Sequence, residues 1–141
     1  LGMYYTFLET DGGGMYVGSS YTYATARDFA RFGLLYYQNG YWNGKELLPD
    51  HWVQASVQPS RADPLQHYGY FFWLNGWDKD HPDQRWFRDV PPDMFFASGY
   101  LGQGIYIIPS KKLVVVRLGQ RNVDENRLLK DIITAVSHQI K

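Results

Sequence analysis

Apolar residues along this chain recur with three different spacings, and each spacing predicts a different element. From Thr25 to Tyr37, Phe29, Ala30, Gly33, Leu34 and Tyr37 return every three or four positions, the period of a helix with one apolar face. Thr25 is placed to cap that helix with Asp28 in its first turn, and Asn39-Gly40 stops it where a left-handed residue is wanted. A second helical period, from Asp124 to Lys141, puts Leu128, Leu129, Ile132, Ile133 and Val136 on one side and Arg127, Lys130 and Asp131 on the other, so this helix should lie against a sheet. Phe95–Gln103, Gly104–Pro109 and Leu113–Leu118 read as successive strands. Val114-Val115-Val116 lacks alternation, which predicts a central strand covered on both faces. His67–Leu74 predicts a further, aromatic strand ending at Asn75-Gly76.

Shorter signals fill the intervals. Leu1–Tyr23 has no period and reads as irregular, with Asp11-Gly12-Gly13-Gly14 as a flexible loop. Asn43-Gly44 marks a tight turn between two short extended pieces. Pro49 and Asp50 open a short helix through Val57, and the polar, proline-bearing stretch Gln58–Gln66 is a connector. Trp77–Asp93, with Pro82, Pro91, Pro92 and many charges, is a long loop, either the rim of a cleft or a solvated insertion. Together these elements define an α+β fold, an antiparallel β-sheet with packed helices, expected to form one domain over residues 1–141.

Composition narrows the functional classes. The chain has 141 residues, enough to bury a core, and 14 Lys plus Arg balance 14 Asp plus Glu, which argues against nucleic acid as a partner. The absence of cysteine removes disulfides, thiolate clusters and a cysteine nucleophile, and decides no compartment. No uncharged apolar run approaches the roughly 20 residues of a membrane-spanning helix. The 25 aromatic residues can line a ring-binding cleft, although such side chains more often fill cores and brace sheet faces. His51, His67, His81 and His138 are scattered without the spacing of a helical zinc site, and the pairs Asp78/Asp80 and Asp124/Glu125 sit at loop and cap positions. Asp11–Gly14 lacks the lysine and the preceding strand of a phosphate loop, so no metal or cofactor is expected.

The densest chemical signal is Phe95-Phe96-Ala97-Ser98-Gly99-Tyr100-Leu101-Gly102-Gln103-Gly104. Glycine weakens a strand, so Gly99, Gly102 and Gly104 imply either a bulge or bend, or a close approach to the backbone, for which a substrate is one candidate.

The order of these elements resembles the C-terminal part of serine hydrolases of the β-lactamase and penicillin-binding-protein superfamily, a β-lactamase/transpeptidase-like fold. The phrases that carry the resemblance are Thr25-Ala26-Arg27-Asp28-Phe29-Ala30-Arg31-Phe32-Gly33, the Asn43-Gly44-Lys45 turn followed by Leu47-Leu48-Pro49, and Ser98-Gly99-Tyr100-Leu101-Gly102-Gln103. They look most similar to the class C β-lactamase-like branch that includes esterases and 6-aminohexanoate-dimer hydrolases. Leu1-Gly2-Met3 resembles a phrase that lies well after the catalytic serine in that superfamily. The chain is therefore expected to be a fragment whose N-terminal Ser-x-x-Lys part, and any targeting segment, lie outside it. A periplasmic or secreted setting is one option that the resemblance leaves open.

Enzymes of this kind use a serine activated by a lysine three residues later, a tyrosine that moves protons, and a third motif on a strand beside the cleft. None of the seven serines here has a lysine three positions on. Tyr37-Gln38-Asn39 and Tyr41-Trp42-Asn43 spell Tyr-x-Asn, but both end at Asn-Gly turns, away from the family's position for that motif, and are taken as coincidence. The third motif falls on Ala97-Ser98-Gly99. The resemblance implies that the Tyr100 backbone N–H donates to an oxyanion and that Ala97, Ser98, Gly99 and Gln103 contact substrate. Ala97 stands where the family carries lysine, which favours an esterase or amidase over a true β-lactamase. The implied partners are a small-molecule amide or ester, the missing N-terminal part of the same protein, and a second copy through exposed apolar surface. The isolated chain is expected not to turn over substrate. A different class of reading is a non-catalytic module that recognises a peptide or glycan through aromatic residues and the long loop. A longer parent carrying Ser-x-x-Lys would favour the hydrolase.

Overall fold

Helix α1 (Ala26–Tyr37) begins where the pattern places it: the Thr25 Oγ accepts the Asp28 N–H at 3.2 Å, and Asn39 and Gly40 leave the helix at φ 54° and 89°. The computed structural model describes residues 1–76, 85–120 and 122–139. Strands β1 (Thr6–Leu8) and β2 (Thr22–Ala24) precede α1 and pair with each other. After α1, β3 (Tyr41–Trp42) and β4 (Lys45–Glu46) form the hairpin predicted at Asn43-Gly44, both turn residues having positive φ, and α2 (Asp50–Ser56) follows. The main sheet is antiparallel with the order β5 (Trp73–Leu74), β6 (Phe95–Ser98), β7 (Gly104–Ile108), β8 (Leu113–Arg117). Helix α3 (Glu125–Gln139) closes the chain, its first turn capped by Asp124, whose carboxylate accepts the Arg127 N–H at 3.0 Å.

Two cores share β7, all five residues of which are buried. On one face Ile105 and Ile107 pack with Phe72, Leu74 and Phe95 beneath Phe29, Phe32 and Tyr36 of α1. On the other, Tyr106 and Ile108 pack with Phe87, Val90, Met94 and Phe96 against Leu129 and Ile133 of α3. Ile107, Ile108 and Leu129 are fully enclosed, and each such side chain contributes about 1.5–3 kcal/mol by burial. The sheet is thus the middle of three layers, and the α+β expectation holds.

Gly33 sets the spacing of the first two layers. A Cβ at this position would lie 2.7 Å from Val114 Cγ1 and 3.0 Å from Ile105 Cγ2, so α1 approaches β7 and β8 through a position with no side chain.

Several expected elements differ, each for a local reason. Leu1–Tyr23 is not wholly irregular. It contains β1 and β2, and its first turn is tied to α1 because the fully buried Asp28 carboxylate accepts the Tyr5 N–H at 2.9 Å and the Arg31 guanidinium. The aromatic strand His67–Leu74 is broken. Phe71 takes φ 60° and the chain folds back so that Gly69 N–H meets the Phe72 carbonyl at 2.8 Å, leaving only Trp73–Leu74 in the sheet. The strand expected over Phe95–Gln103 ends at Ser98. Val114–Val116 is covered on both faces as expected, by α1 and α3, yet β8 pairs only with β7 and lies at the edge of the described sheet. An apolar run without alternation reports coverage of two faces and is silent on the number of neighbouring strands.

Of the expected loop, Trp77–Gln84 lies outside the described residues, and the remainder, from Arg85 to Asp93, is anchored in the fold. Phe87 and Val90 enter the α3-side core. Asn75, with no exposed surface, holds this segment: its amide nitrogen donates to the carbonyls of Phe87, Val90 and Pro91 at 3.0, 3.2 and 3.1 Å, and its oxygen accepts the Phe87 N–H at 2.8 Å.

Two stability outcomes follow from this packing. Gly33→Ala should lower unfolding free energy by about 1–2 kcal/mol in denaturant titration, because the overpacking at Val114 outweighs the gain in helix propensity. Asn75→Ala should cost about 3 kcal/mol in the same measurement, since it strands a buried N–H and buried carbonyls together.

Candidate active-site edge

The candidate site begins where the sheet loses its outer strand. β5 pairs only with Phe95 and Phe96, so the outer edge of Ala97-Ser98 has no strand beside it among the described residues. Beyond Ser98 the chain turns. Residues Tyr100–Gly102 form a single 3-10 turn in which Leu101 and Gly102 take φ 56° and 77°. The Gly99 N–H closes this turn by donating to the Gln103 carbonyl at 2.7 Å, and the Gln103 side-chain amide donates to the Tyr100 carbonyl at 3.2 Å.

All five residues expected at the site therefore sit on one strand end and its turn. Their surroundings separate their roles. Ser98 and Gly99 are exposed and Tyr100 is 77% exposed, whereas the Ala97 methyl packs against the α1-side core and leaves only its backbone at the edge. The Gly99 N–H is committed inside the turn. The Tyr100 N–H stands at the start of the turn, where the first N–H groups have no partner within a helical segment. Gln103 braces the turn from within.

The three glycines have different causes. A Cβ on Gly104 would meet the Tyr106 ring at 2.5 Å. One on Gly102, already at positive φ, would lie 2.9 Å from Arg117 Nη1 and 3.0 Å from the Glu125 carboxylate. For these two, the group that approaches the backbone belongs to the chain itself. Gly99 has an ordinary extended φ of −108°, and a Cβ there would make only 3.5–3.6 Å contacts with Gln103. It is the one glycine of the three that internal packing leaves open.

The contacts at Gly102 and Gly104 lead to a polar cluster that sequence reasoning missed. Arg117 donates to the Gly102 carbonyl and lies 3.4 Å from Glu125 Oε1, and the Tyr106 hydroxyl donates to Glu125 Oε2 at 2.8 Å. Burial, then the hydrogen bond to Glu125 and its charge, push the Tyr106 phenol well above its usual range, with Arg117 opposing; the phenol therefore remains a neutral donor. One signal in the sequence points here: Arg117 follows Leu113 and Val115 on the α3-facing parity of β8, where a charge needs partners.

The other expected candidates lie apart. His67 contacts the Trp86 ring with a centroid separation of 5.4 Å, His51 is exposed beside Asp50, and His138 is exposed on α3. His81, Asp78 and Asp80 lie outside the described residues. Among the described residues no three His, Asp or Glu side chains converge to hold a metal ion. Two open depressions, each of about 410 Å³, lie at Leu34–Gly44 and around Val57, Met94 and Pro109, and neither includes residues 97–103. Aromatic residues are divided: Phe72, Phe87, Phe95, Phe96 and Tyr106 are buried, while Tyr4, Tyr5, Phe7, Tyr16, Tyr21 and Tyr23 are exposed in the first 24 residues.

An antiparallel sheet between two helical layers, with a glycine-rich open strand end, defines a β-lactamase-like hydrolase fold. The family model Beta-lactamase matches residues 2–138, and the chain belongs to that family. An uncharacterised protein of Alkalihalophilus pseudofirmus is 29% identical over 119 residues, covering 81% of this chain and 33% of its own length. Among solved structures, one titled "Putative 6-aminohexanoate-dimer hydrolase from Bacillus anthracis" superposes with a TM-score of 0.66 at 24% identity, over 96% of this chain and 34% of the other. A second, titled as a "putative beta-lactamase from Bacteroides dorei", gives 0.60 at 18% identity, over 95% and 47%. At these identities the two structures establish the fold. The chain spans about a third of the length of the first two relatives.

The unequal glycines give a direct check on the site geometry. Gly102→Ala should cost about 2 kcal/mol of stability through strained backbone and the displaced guanidinium, whereas Gly99→Ala should stay within about 0.5 kcal/mol, both read by thermal or denaturant unfolding.

Proposed function

We propose that this chain is the C-terminal portion of a β-lactamase-family serine hydrolase that cleaves an amide or ester bond through an acyl-enzyme, and that its β6 edge and following turn form one wall of the cleft. In this reading the Tyr100 N–H is one oxyanion donor, positioned for the negative charge of the tetrahedral intermediate. Ser98 and Gly99 border the substrate, and Gln103 acts by bracing the turn that presents the N–H. The serine nucleophile and its lysine come from chain beyond residues 1–141, so residues 1–141 alone do not turn over substrate. The observation that carries the reading is the exposed end of β6, where Gly99 is open to close approach and its N–H is already used inside the turn, while the next N–H belongs to the exposed Tyr100 at the start of that turn. Alanine at position 97 removes the cation that would bind a β-lactam carboxylate, which supports an ester or simple amide substrate.

The exposed aromatic residues of β1, β2 and their flanks, together with the half-covered outer edge of β8, supply apolar surface for the N-terminal part of the same protein. In its absence, the same surface should drive self-association.

The test is hydrolysis of p-nitrophenyl acetate and of a chromogenic cephalosporin by residues 1–141 and by the full-length protein. Activity with the ester in the full-length protein alone is the expected result. In that protein Tyr100→Pro should lower kcat by about a hundredfold or more, since it deletes the N–H while Gly99, extended at φ −108° and ψ −177°, already suits a following proline. Tyr100→Ala, which keeps the N–H, should lose far less. Silence of the full-length protein, with no labelling by a fluorophosphonate, would instead favour the peptide- or glycan-binding module.

A further inference from the structure

The turn that carries the Tyr100 N–H is held from behind by charge, and the chain places three groups there in series. Ser98, Gly104 and Arg117 are register partners across β6, β7 and β8, so they occupy one row on one face of the sheet. Gly104 has no side chain, and the space beside it is taken by the Tyr106 ring, which lies on the same face two residues along β7. Arg117 reaches across this row and donates to the Gly102 carbonyl, the last residue of the turn. Its guanidinium is oriented by Glu125 at 3.4 Å, and that carboxylate is in turn held by the Tyr106 hydroxyl at 2.8 Å. The Arg117 side chain is only 11% exposed and that of Glu125 25%, so water screens this pair far less than a surface pair.

Building on the oxyanion reading of Tyr100, we infer that Arg117 is a positioning residue: its guanidinium, oriented by Glu125 and Tyr106, pins the Gly102 carbonyl and so fixes the direction of the Tyr100 N–H. The turn needs such a pin. Leu101 and Gly102 are both left-handed, Leu101 takes this conformation at a cost, and the residue is 44% exposed and belongs to neither core cluster. A turn that relaxes by an ångström would misdirect the N–H, and misplacement on that scale costs on the order of a hundredfold in rate. Arg117 touches neither substrate nor reacting atoms in this account. Lysine should replace it only in part, because Nη1 makes both contacts from a rigid, weakly hydrated plane, whereas an ammonium is a strongly hydrated point charge on a flexible stem.

The test uses the full-length protein with Arg117→Met, Arg117→Lys and Tyr106→Phe, read by ester hydrolysis and by amide hydrogen exchange of peptides spanning residues 99–103. Arg117→Met should lower kcat ten- to a hundredfold with KM changed less than about threefold, and should speed exchange in 99–103 while β7 remains protected. Arg117→Lys should recover part of the rate, and Tyr106→Phe should cost less than Arg117→Met. Unchanged exchange in 99–103 for Arg117→Met overturns the inference, whether or not the protein is an active hydrolase. Unchanged kcat in Arg117→Met alongside a large loss in Tyr100→Pro overturns it while the oxyanion reading stands. If Tyr100→Pro is also without effect, the oxyanion reading itself fails, and the exchange data alone decide whether Arg117 pins the turn.

Discussion

The register of three strands around β7 is the constraint on which the rest of the structure depends. Every residue of β7 is buried, and its side chains alternate between two cores, so a shift of one position would exchange Ile105 and Ile107 for Tyr106 and Ile108 and spoil both packings at once. With that shift forbidden, Phe95–Ser98 and Leu113–Arg117 are fixed beside it. Ser98, Gly104 and Arg117 then fall into one row. The end of β6 and the arginine that braces its turn are thus consequences of hydrophobic burial many ångströms inside the sheet.

Close approach is the second theme, and it is achieved wherever a side chain is absent. At Gly33 the missing Cβ lets a helix settle onto Val114 and Ile105; at Gly104 it admits the Tyr106 ring; at Gly102 it admits a guanidinium and a carboxylate. Interiors are packed too densely for a methyl group to be added at such points without displacement. Asn75 solves the opposite problem. Where the chain from Arg85 to Asp93 enters the core without secondary structure, one buried amide satisfies carbonyls and an N–H that would otherwise be stranded.

In this member of the β-lactamase family, these features shape the exposed end of β6 and the turn that follows it. The strand end is open on its outer side, and the first glycine of its turn meets only Gln103; the proposed reading assigns these parts to an oxyanion wall. The parts that generate a nucleophile are of another kind, and none of the serines in this chain carries the lysine spacing they need. The division is chemically coherent: stabilising an oxyanion requires fixed dipoles, which a sheet edge supplies, whereas activating a serine requires a base beside it.

The sequence by itself determined the elements whose causes are local. The Thr25 cap and the three-and-four spacing after it made α1, Asn43-Gly44 made the β3–β4 turn, Pro49-Asp50 opened α2, and the faces of α3 were legible in its period, because caps, turns and periodicity act over a few residues. The family pattern was legible too, and the candidate site it implies, Ala97–Gln103, falls on one strand end and its turn. Tertiary structure decided what depends on distant partners. It broke the aromatic strand at Phe71, ended β6 at Ser98, set β8 at the edge, paired β1 with β2, and joined Arg117, Glu125 and Tyr106 behind a turn up to 25 residues away in the chain. Apolar patterning specifies which side chains leave water, but the partner each one meets, and the charge that can be buried beside it, exist only once the strands are in register.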